Sequence, residues 1–257
     1  MEKGFFEWVI FFIQGNWQQF LLGTATTLLI SLSGTIIGFF LGLGVSLIQY
    51  TKTDDKSSTL FKGFIKFLKI LISIYITIFR GTPMIVQAMV IFYGLPQLIG
   101  LNLDPLPAAL LIVSINTGAY MAEMIRGGVD SVDPGQLEGA QAIGMSHFQA
   151  MISIIFPQAV RNVLPSIGNE FIINIKDTSV LNVIGVTELF FTSKSIAGSY
   201  AKYYEVFIIT SVIYLFLTFT ISLILKSIEK KIDGPKNFEI LPLQDGNNVV
   251  IKKGEGV

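Results

Sequence analysis

The sequence predicts an all-α integral membrane protein of about five transmembrane helices, with its amino terminus outside and its carboxyl terminus inside. Three observations carry this prediction. The 257 residues are 51% hydrophobic and 14% charged, with a mean hydropathy of +0.64, whereas soluble domains carry about a quarter charged residues. Uncharged apolar runs of the roughly 20 residues that a spanning helix needs recur along the chain. Lysine and arginine gather between alternate runs, which assigns those connections to the cytoplasm.

The same composition narrows the function classes. Basic and acidic residues balance at 18 each, which argues against a nucleic-acid partner. There is no Cys, and His147 is the only histidine, so disulfides, haem, iron–sulfur clusters and a Cys/His zinc site are excluded or nearly so. No GxxxxGK[ST] occurs, nor any Gly-Lys dipeptide, so the chain carries no phosphate-cradling P-loop. Glu2 and Glu7 flank the first apolar residues, a pattern unlike a cleaved signal peptide. Residues 1–16 read as an N-terminal interfacial segment and 17–230 as the membrane domain. Residues 231–257 read as a flexible cytoplasmic tail with no assigned role.

Taken in order, the first crossing is Leu21–Ile48. Its Gly34, Gly38 and Gly42 form a small-residue stripe against which another helix can pack closely. TKTDDKSSTLFKGFIKFLK comes next. Lys62, Lys66 and Lys69 share one helical face, while Phe61, Phe64, Ile65 and Leu68 share the other. That pattern is an interfacial amphipathic helix with its basic side toward the headgroups. Five lysines between residues 51 and 69 place this loop inside. The second run, 70–97, is broken once by FRGTP. LIGLNLDPLP (98–107) has no Lys or Arg and reads as external. Leu110–Ile125 returns, and Arg126 and Arg161 bracket a polar segment on the inner side. Val206–Leu225 ends in KSIEKK, again inside, so parity requires an outward route between Ile167 and about Phe191.

The polar segment, 133–157, is written by its punctuation. Asp133 before Pro134 is an N-cap followed by the residue suited to the first helical position. A short helix over 134–143 stops at Gly144, the residue that favours a left-handed turn. Ser146 and Gln149 form a capping box for a second helix, and Pro157 and Pro165 are expected to break the chain beyond it. Two capped helices about a glycine joint make a knuckle suited to docking in a cleft; the plainer reading is an ordinary cytoplasmic loop.

Glu138-Gly139-Ala140, Gly144 and Ile154-Ile155-Phe156-Pro157 resemble the EAA loop of ABC importer permeases, with Gly139 and Phe156 as mild departures. FRGTP (79–83), NTGAYMAEMIRGGVDSVDPGQ (116–136), FPQAVRNVLPSIGNEFI (156–172) and KDTSVLNVIGVTEL (176–189) are similar to the polar amino-acid permeases of that superfamily, the histidine/glutamine/arginine group. The resemblance runs from about residue 17 to about 230. It implies a type I importer fold and a permease subunit, not an enzyme, in the bacterial cytoplasmic membrane. The implied partners are two cytoplasmic ABC ATPase subunits, a second permease subunit (identical or sister), an extracellular or periplasmic binding protein, an amino acid and membrane lipid. ATP and Mg would be bound by the ATPases, with no cofactor on this chain. Glu138, Gly139, Ala140, Gly144, Met145 and His147 would form the ATPase-coupling surface. Plainer readings are a solvated surface charge for Glu138 and a surface position for His147.

Ionisable groups within an apolar span are functional candidates. Arg80 lies beside the Gly81–Pro83 break, where a guanidinium and free backbone N–H groups suit a carboxylate. Arg80, Gly81 and Thr82 are expected to hold the substrate α-carboxylate, and Gln87 could face the same cavity. An alternative pairs Arg80 with Glu123 or Asp177. Glu170, Asn174 and Asp177 share one helix face and could receive an ammonium or polar side chain, or close a structural network. Glu123 reads as a partner of Arg126 or of a neighbouring helix. The competing function is an ion-coupled secondary amino-acid transporter. It accounts for the broken helix but not for the knuckle, and five crossings leave no obvious repeat of equal halves.

Overall fold

The computed structural model describes residues 4–51, 58–233, 238–240 and 251–253. Among the described residues, four helices are long and apolar enough to cross a membrane by length and composition. These are Phe5–Tyr50, Pro105–Asp130, the helical path His147–Ile184, and Tyr203–Lys231 within a longer helix.

Helix α1, Phe5–Tyr50, has 46 residues, about 69 Å at 1.5 Å per residue. It runs without a break at residue 16, so residues 5–16 belong to the same helix as the first apolar run. The glycine stripe sets the closest helix contact. A Cβ at Gly38 would lie 2.7 Å from the Thr117 Cβ, and one at Gly42 2.6 Å from the Met121 Cβ. Gly34 meets Val113 in the same way. The partner is therefore α4, Pro105–Asp130, contacted every four residues on both helices.

Helix α2, Thr59–Gly81, starts at an N-cap in which Ser58 accepts from the Phe61 N–H. Its basic and aromatic opening is the amphipathic stretch; the lysines at 52 and 56 lie outside the described residues. The chain breaks at Thr82 and Pro83 and resumes as α3, Met84–Ile99. The second expected crossing is thus two helices, of which α3 is apolar but only 16 residues long.

After α4, Asp133 caps α5, Pro134–Ala142, accepting from the Gly135 N–H at 2.7 Å. Helix α6, His147–Ala150, begins at its own capping box. One expectation is corrected here: Pro157 and Pro165 do not break the chain. Helix α6 passes through a π-helical turn, Met151–Ile155, into α7, Phe156–Asp177. The Phe156 N–H reaches five residues back to the Met151 carbonyl. The widened turn makes room for the Pro157 ring that a regular helix would reject. Pro165 is accommodated inside α7.

A 3₁₀ turn, Thr178–Ile184, ends at Gly185 with φ +83°. Helix α8, Leu189–Tyr200, and α9, Tyr203–Asp233, complete the bundle. Within the tail, Phe238–Ile240 pairs antiparallel with Ile251–Lys253; the rest of the tail's expected flexibility lies outside the described residues. Apolar clusters are strung along α1, among them a group in which Val45 and Ile48 pack with Ile72, Ile76 and Ala122. Phe12 and Phe20 pack with Leu189, Ile196 and Val206. Ile30 packs with Ile112, Val113 and Leu181. Phe39, Leu43 and Leu47 pack over Ile125, Met151 and Phe156. Helix α1 is thus the spine that carries both the helix break and the knuckle.

Candidate functional site

The break between α2 and α3 is held by side-chain amides. Helix ends leave carbonyls without intrahelical partners, and in an apolar setting each must be satisfied. Gln87, buried on α3, reaches back to do so. Its Nε2 donates to the Phe79 carbonyl, the Thr82 carbonyl and Thr82 Oγ1, each at 2.9 Å. Asn116 of α4 donates to Gln87 Oε1 at 2.8 Å. Gln87 therefore works as the staple of the break. Gly81 and Thr82 are exposed at its edge, and the Thr82 hydroxyl donates to the Ile78 carbonyl.

Arg80 sits beside this staple. Its Nη1 lies 3.7 Å from Glu123 Oε2, with the two side chains 41% and 28% exposed. Its guanidinium lies 5.8 Å from the centre of the Tyr120 ring. Glu123 in turn accepts from Arg126 Nε and Nη2 at 3.1 and 2.5 Å, and Arg126 Nη1 pairs with Asp130 at 2.8 Å. The ion-pair alternative for Arg80 is thus the observed state. At 3.7 Å and partly exposed, that pair leaves most of the guanidinium fork available to an incoming carboxylate.

The second group of candidates separates. Asn174 is buried and ties three helices, donating to Thr35 Oγ1 at 2.8 Å and Thr117 Oγ1 at 3.0 Å. Glu170 is 5% exposed, and its carboxyl makes no hydrogen bond among the described residues. Asp177 is exposed at the end of α7. Next to it, Lys176 lines a side cavity of about 440 Å³ with Ser179, Tyr214 and Thr218. The adjacent residues Asn116 and Thr117 join the two groups, one holding the break and the other holding α7.

Sequence reasoning missed this pair and also Glu188. Glu188 is fully buried and caps α8, accepting from the Phe190 and Phe191 N–H groups at 2.8 and 2.7 Å. It also accepts from Tyr214 at 3.2 Å and Thr27 at 3.5 Å. The available signal was an acid followed at once by an apolar helix, an N-cap pattern.

At the knuckle, Gly144 has φ +87°. The Met145 N–H donates to the Ala140 carbonyl and the Gly144 N–H to the Gln141 carbonyl, at 3.1 and 3.0 Å. These are the paired bonds of a Schellman turn. Ser146 and Gln149 exchange their capping bonds at 3.3 and 2.9 Å. Glu138 and Gly139 are exposed and Ala140 is buried. Ile143 is 79% exposed and Phe148 62%, so the joint offers an apolar tip beside one carboxylate. Met145 is half-buried. His147 turns inward, with Nε2 3.1 Å from the Tyr50 carbonyl.

The chain belongs to the family of binding-protein-dependent transport system inner membrane components, which matches residues 57–234. It is 36% identical over 210 residues to the arginine transport system permease protein ArtQ of Bacillus subtilis (strain 168), covering 82% of this chain and 90% of that protein. It is 37% identical over 210 residues to the glutamine transport system permease protein GlnP of Escherichia coli (strain K12), covering 81% and 90%. A crystal structure described as an amino acid ABC transporter with histidines matches with TM-score 0.76 and 35% identity, over 90% of this chain and 100% of that one. The protein is thus a membrane-embedded transport subunit, and its family works with ATPase, binding-protein and second permease partners.

Proposed function

We propose that this chain is the permease subunit of an ABC importer for a polar amino acid. It makes five crossings, the second of them formed by α2 and α3, with its amino terminus outside and its knuckle and tail inside. A single observation carries the mechanism: two capped helices meet at a left-handed Gly144 and present Glu138, Ile143 and Phe148 to a partner.

In this reading the knuckle seats in a groove of a separate ATPase, which holds the ATP and Mg. Glu138 makes the polar contact. Gly139 stands exposed beside it, Ala140 lets α5 lie close to its own bundle, and Gly144 and Met145 form the turn. Closure of two ATPases drives the knuckles together. The π-helical turn and α7 carry that motion into the spans without a hinge. A binding protein delivers the amino acid outside, and Arg80 receives its α-carboxylate, exchanging it for Glu123. Gly81 and Thr82 border that position, and Glu170 and Asp177 supply acceptors for the cationic end. The relatives named for arginine and glutamine transport support an amino-acid substrate.

The test is uptake into vesicles holding the assembled complex, with its binding protein outside and ATP inside. ATP-dependent accumulation of labelled arginine, glutamine or histidine is expected. Uptake driven by an imposed ion gradient without ATP would replace this reading with the secondary-transporter one.

A further inference from the structure

Tyr50, the last residue of α1, touches α4, α6 and α7 where they meet at the knuckle. Its hydroxyl lies 2.9 Å from Asp130 Oδ1 and 3.3 Å from the Arg126 carbonyl, both at the end of α4. Its ring stands edge-on to Phe156 of α7, with centroids 6.1 Å apart. Its own carbonyl lies 3.1 Å from His147 Nε2. A carbonyl only accepts, so this nitrogen carries the proton and donates. The Tyr50 carbonyl belongs to the last turn of α1, which has no intrahelical donor. His147 supplies one from the knuckle.

We infer that Tyr50 is the positioning residue that locks the α5–α6 knuckle to α1 and α4, so that displacement of the knuckle moves both spans together. The inference rests on the coupling role proposed for the knuckle. Beside the apolar packing of Leu47 and Tyr50 on Met151 and Phe156, a cavity of about 120 Å³ lies between Leu47, Tyr50, His147 and Met151, so the polar contacts share in fixing the joint. These three hydrogen bonds tie Tyr50 to α4 and the knuckle, and one turn earlier the Ser46 hydroxyl donates to the Ala122 carbonyl of α4 at 3.1 Å. Asp130 is also held by Arg126, which is held by Glu123, and Glu123 faces Arg80 at 3.7 Å. The brace is therefore continuous with the group beside the helix break.

The chain has no Cys, so two introduced thiols can be labelled cleanly. Spin labels at Ile143→Cys, on the exposed tip, and Phe40→Cys, on the outer face of α1, report the distance between knuckle and spine. In the assembled complex one narrow distance is expected, unchanged by ATP, Mg and vanadate, because knuckle and α1 move as one body. Tyr50→Phe keeps the ring and removes the hydroxyl. It is expected to broaden the distribution, raising the detached fraction about three- to tenfold, the worth of one hydrogen bond. Adding ATP, Mg and vanadate should then shift the distance. His147→Ala should do the same, and His147→Gln, which carries an amide donor at similar reach, should restore the narrow distance.

An unchanged distribution in both Tyr50→Phe and His147→Ala overturns the proposal, as does failure of His147→Gln to rescue. Failure of the coupling reading has a different signature. The label at Ile143→Cys would then keep its mobility when the ATPase is added, while the broadening in Tyr50→Phe would still appear without nucleotide.

Discussion

Gln87 Nε2 donates to the Phe79 carbonyl at 2.9 Å, across the gap between α2 and α3. One amide thus closes a helix break that would otherwise expose unpaired backbone in an apolar setting. Replacing it by Leu orphans the Thr82 carbonyl and leaves the Phe79 carbonyl and the Asn116 amide with only the 3.4 Å bond they make to each other. Each buried group so orphaned costs about 1–3 kcal/mol. Gln87→Leu is expected to lower the thermal midpoint of the purified protein in nanodiscs by several degrees. A midpoint equal to the parent's would show that the staple carries no stability.

Arg80 and Glu123 make opposite predictions. Arg80→Ala removes the guanidinium expected to meet the substrate carboxylate, and uptake at low substrate should fall by about tenfold or more, since charge-assisted hydrogen bonds are worth about 1.5–3 kcal/mol. Glu123→Gln releases Arg80 from its 3.7 Å partner and should leave apparent affinity equal or improved. Concentration-dependent uptake by both variants decides the matter. Equal losses in the two would mean that the ion pair itself, and no substrate, is what Arg80 serves.

Gly144 and Gly139 separate turn geometry from open space. Gly144 has φ +87°, a conformation that costs other residues about 1–2 kcal/mol. Gly144→Val should weaken ATPase association about tenfold or more, read by pull-down of the detergent-solubilised complex. Gly139 lies within α5, and an added Cβ there meets nothing within 4 Å. Gly139→Ala should keep association and add roughly 0.5–1 kcal/mol of helix stability. If both weaken binding alike, the turn is not what the partner reads.

Glu188 predicts a stability effect at the opposite end of the fold. Glu188→Ala removes the acceptor for the Phe190 and Phe191 N–H groups and for Tyr214. Loss of an N-cap costs about 0.5–2 kcal/mol, and the buried tyrosine hydroxyl adds to it. Glu188→Asn, which still caps, should recover part of the loss. Hydrogen exchange of the α8 amides gives the readout: protection should fall in the Ala variant first at residues 190 and 191. Unchanged protection there would remove the capping role.

Legibility tracked the range of the interaction. The knuckle was readable residue by residue because Asp133, Gly144, Ser146 and Gln149 bond within six positions of themselves. The Gly34–Gly38–Gly42 stripe announced a close helix neighbour but not which one. Residues 113–121 of α4 fill it, some 80 positions away. Pro157 reads as a break in the sequence because a π-helical turn is a cooperative adjustment of several residues, with no single residue type to mark it.

By itself the sequence determined the apolar segments, the interruption at Gly81–Pro83 and the jointed segment at 133–157. Burial of apolar surface, glycine's tolerance of positive φ and proline's missing donor act locally or through simple periodicity. The tertiary structure alone decided the pairing of polar groups inside the bundle. Asn174 meets Thr35 across 139 positions and Glu188 meets Thr27 across 161. A buried polar atom must find a partner wherever the fold brings one, and only the packed helices specify which residue that is.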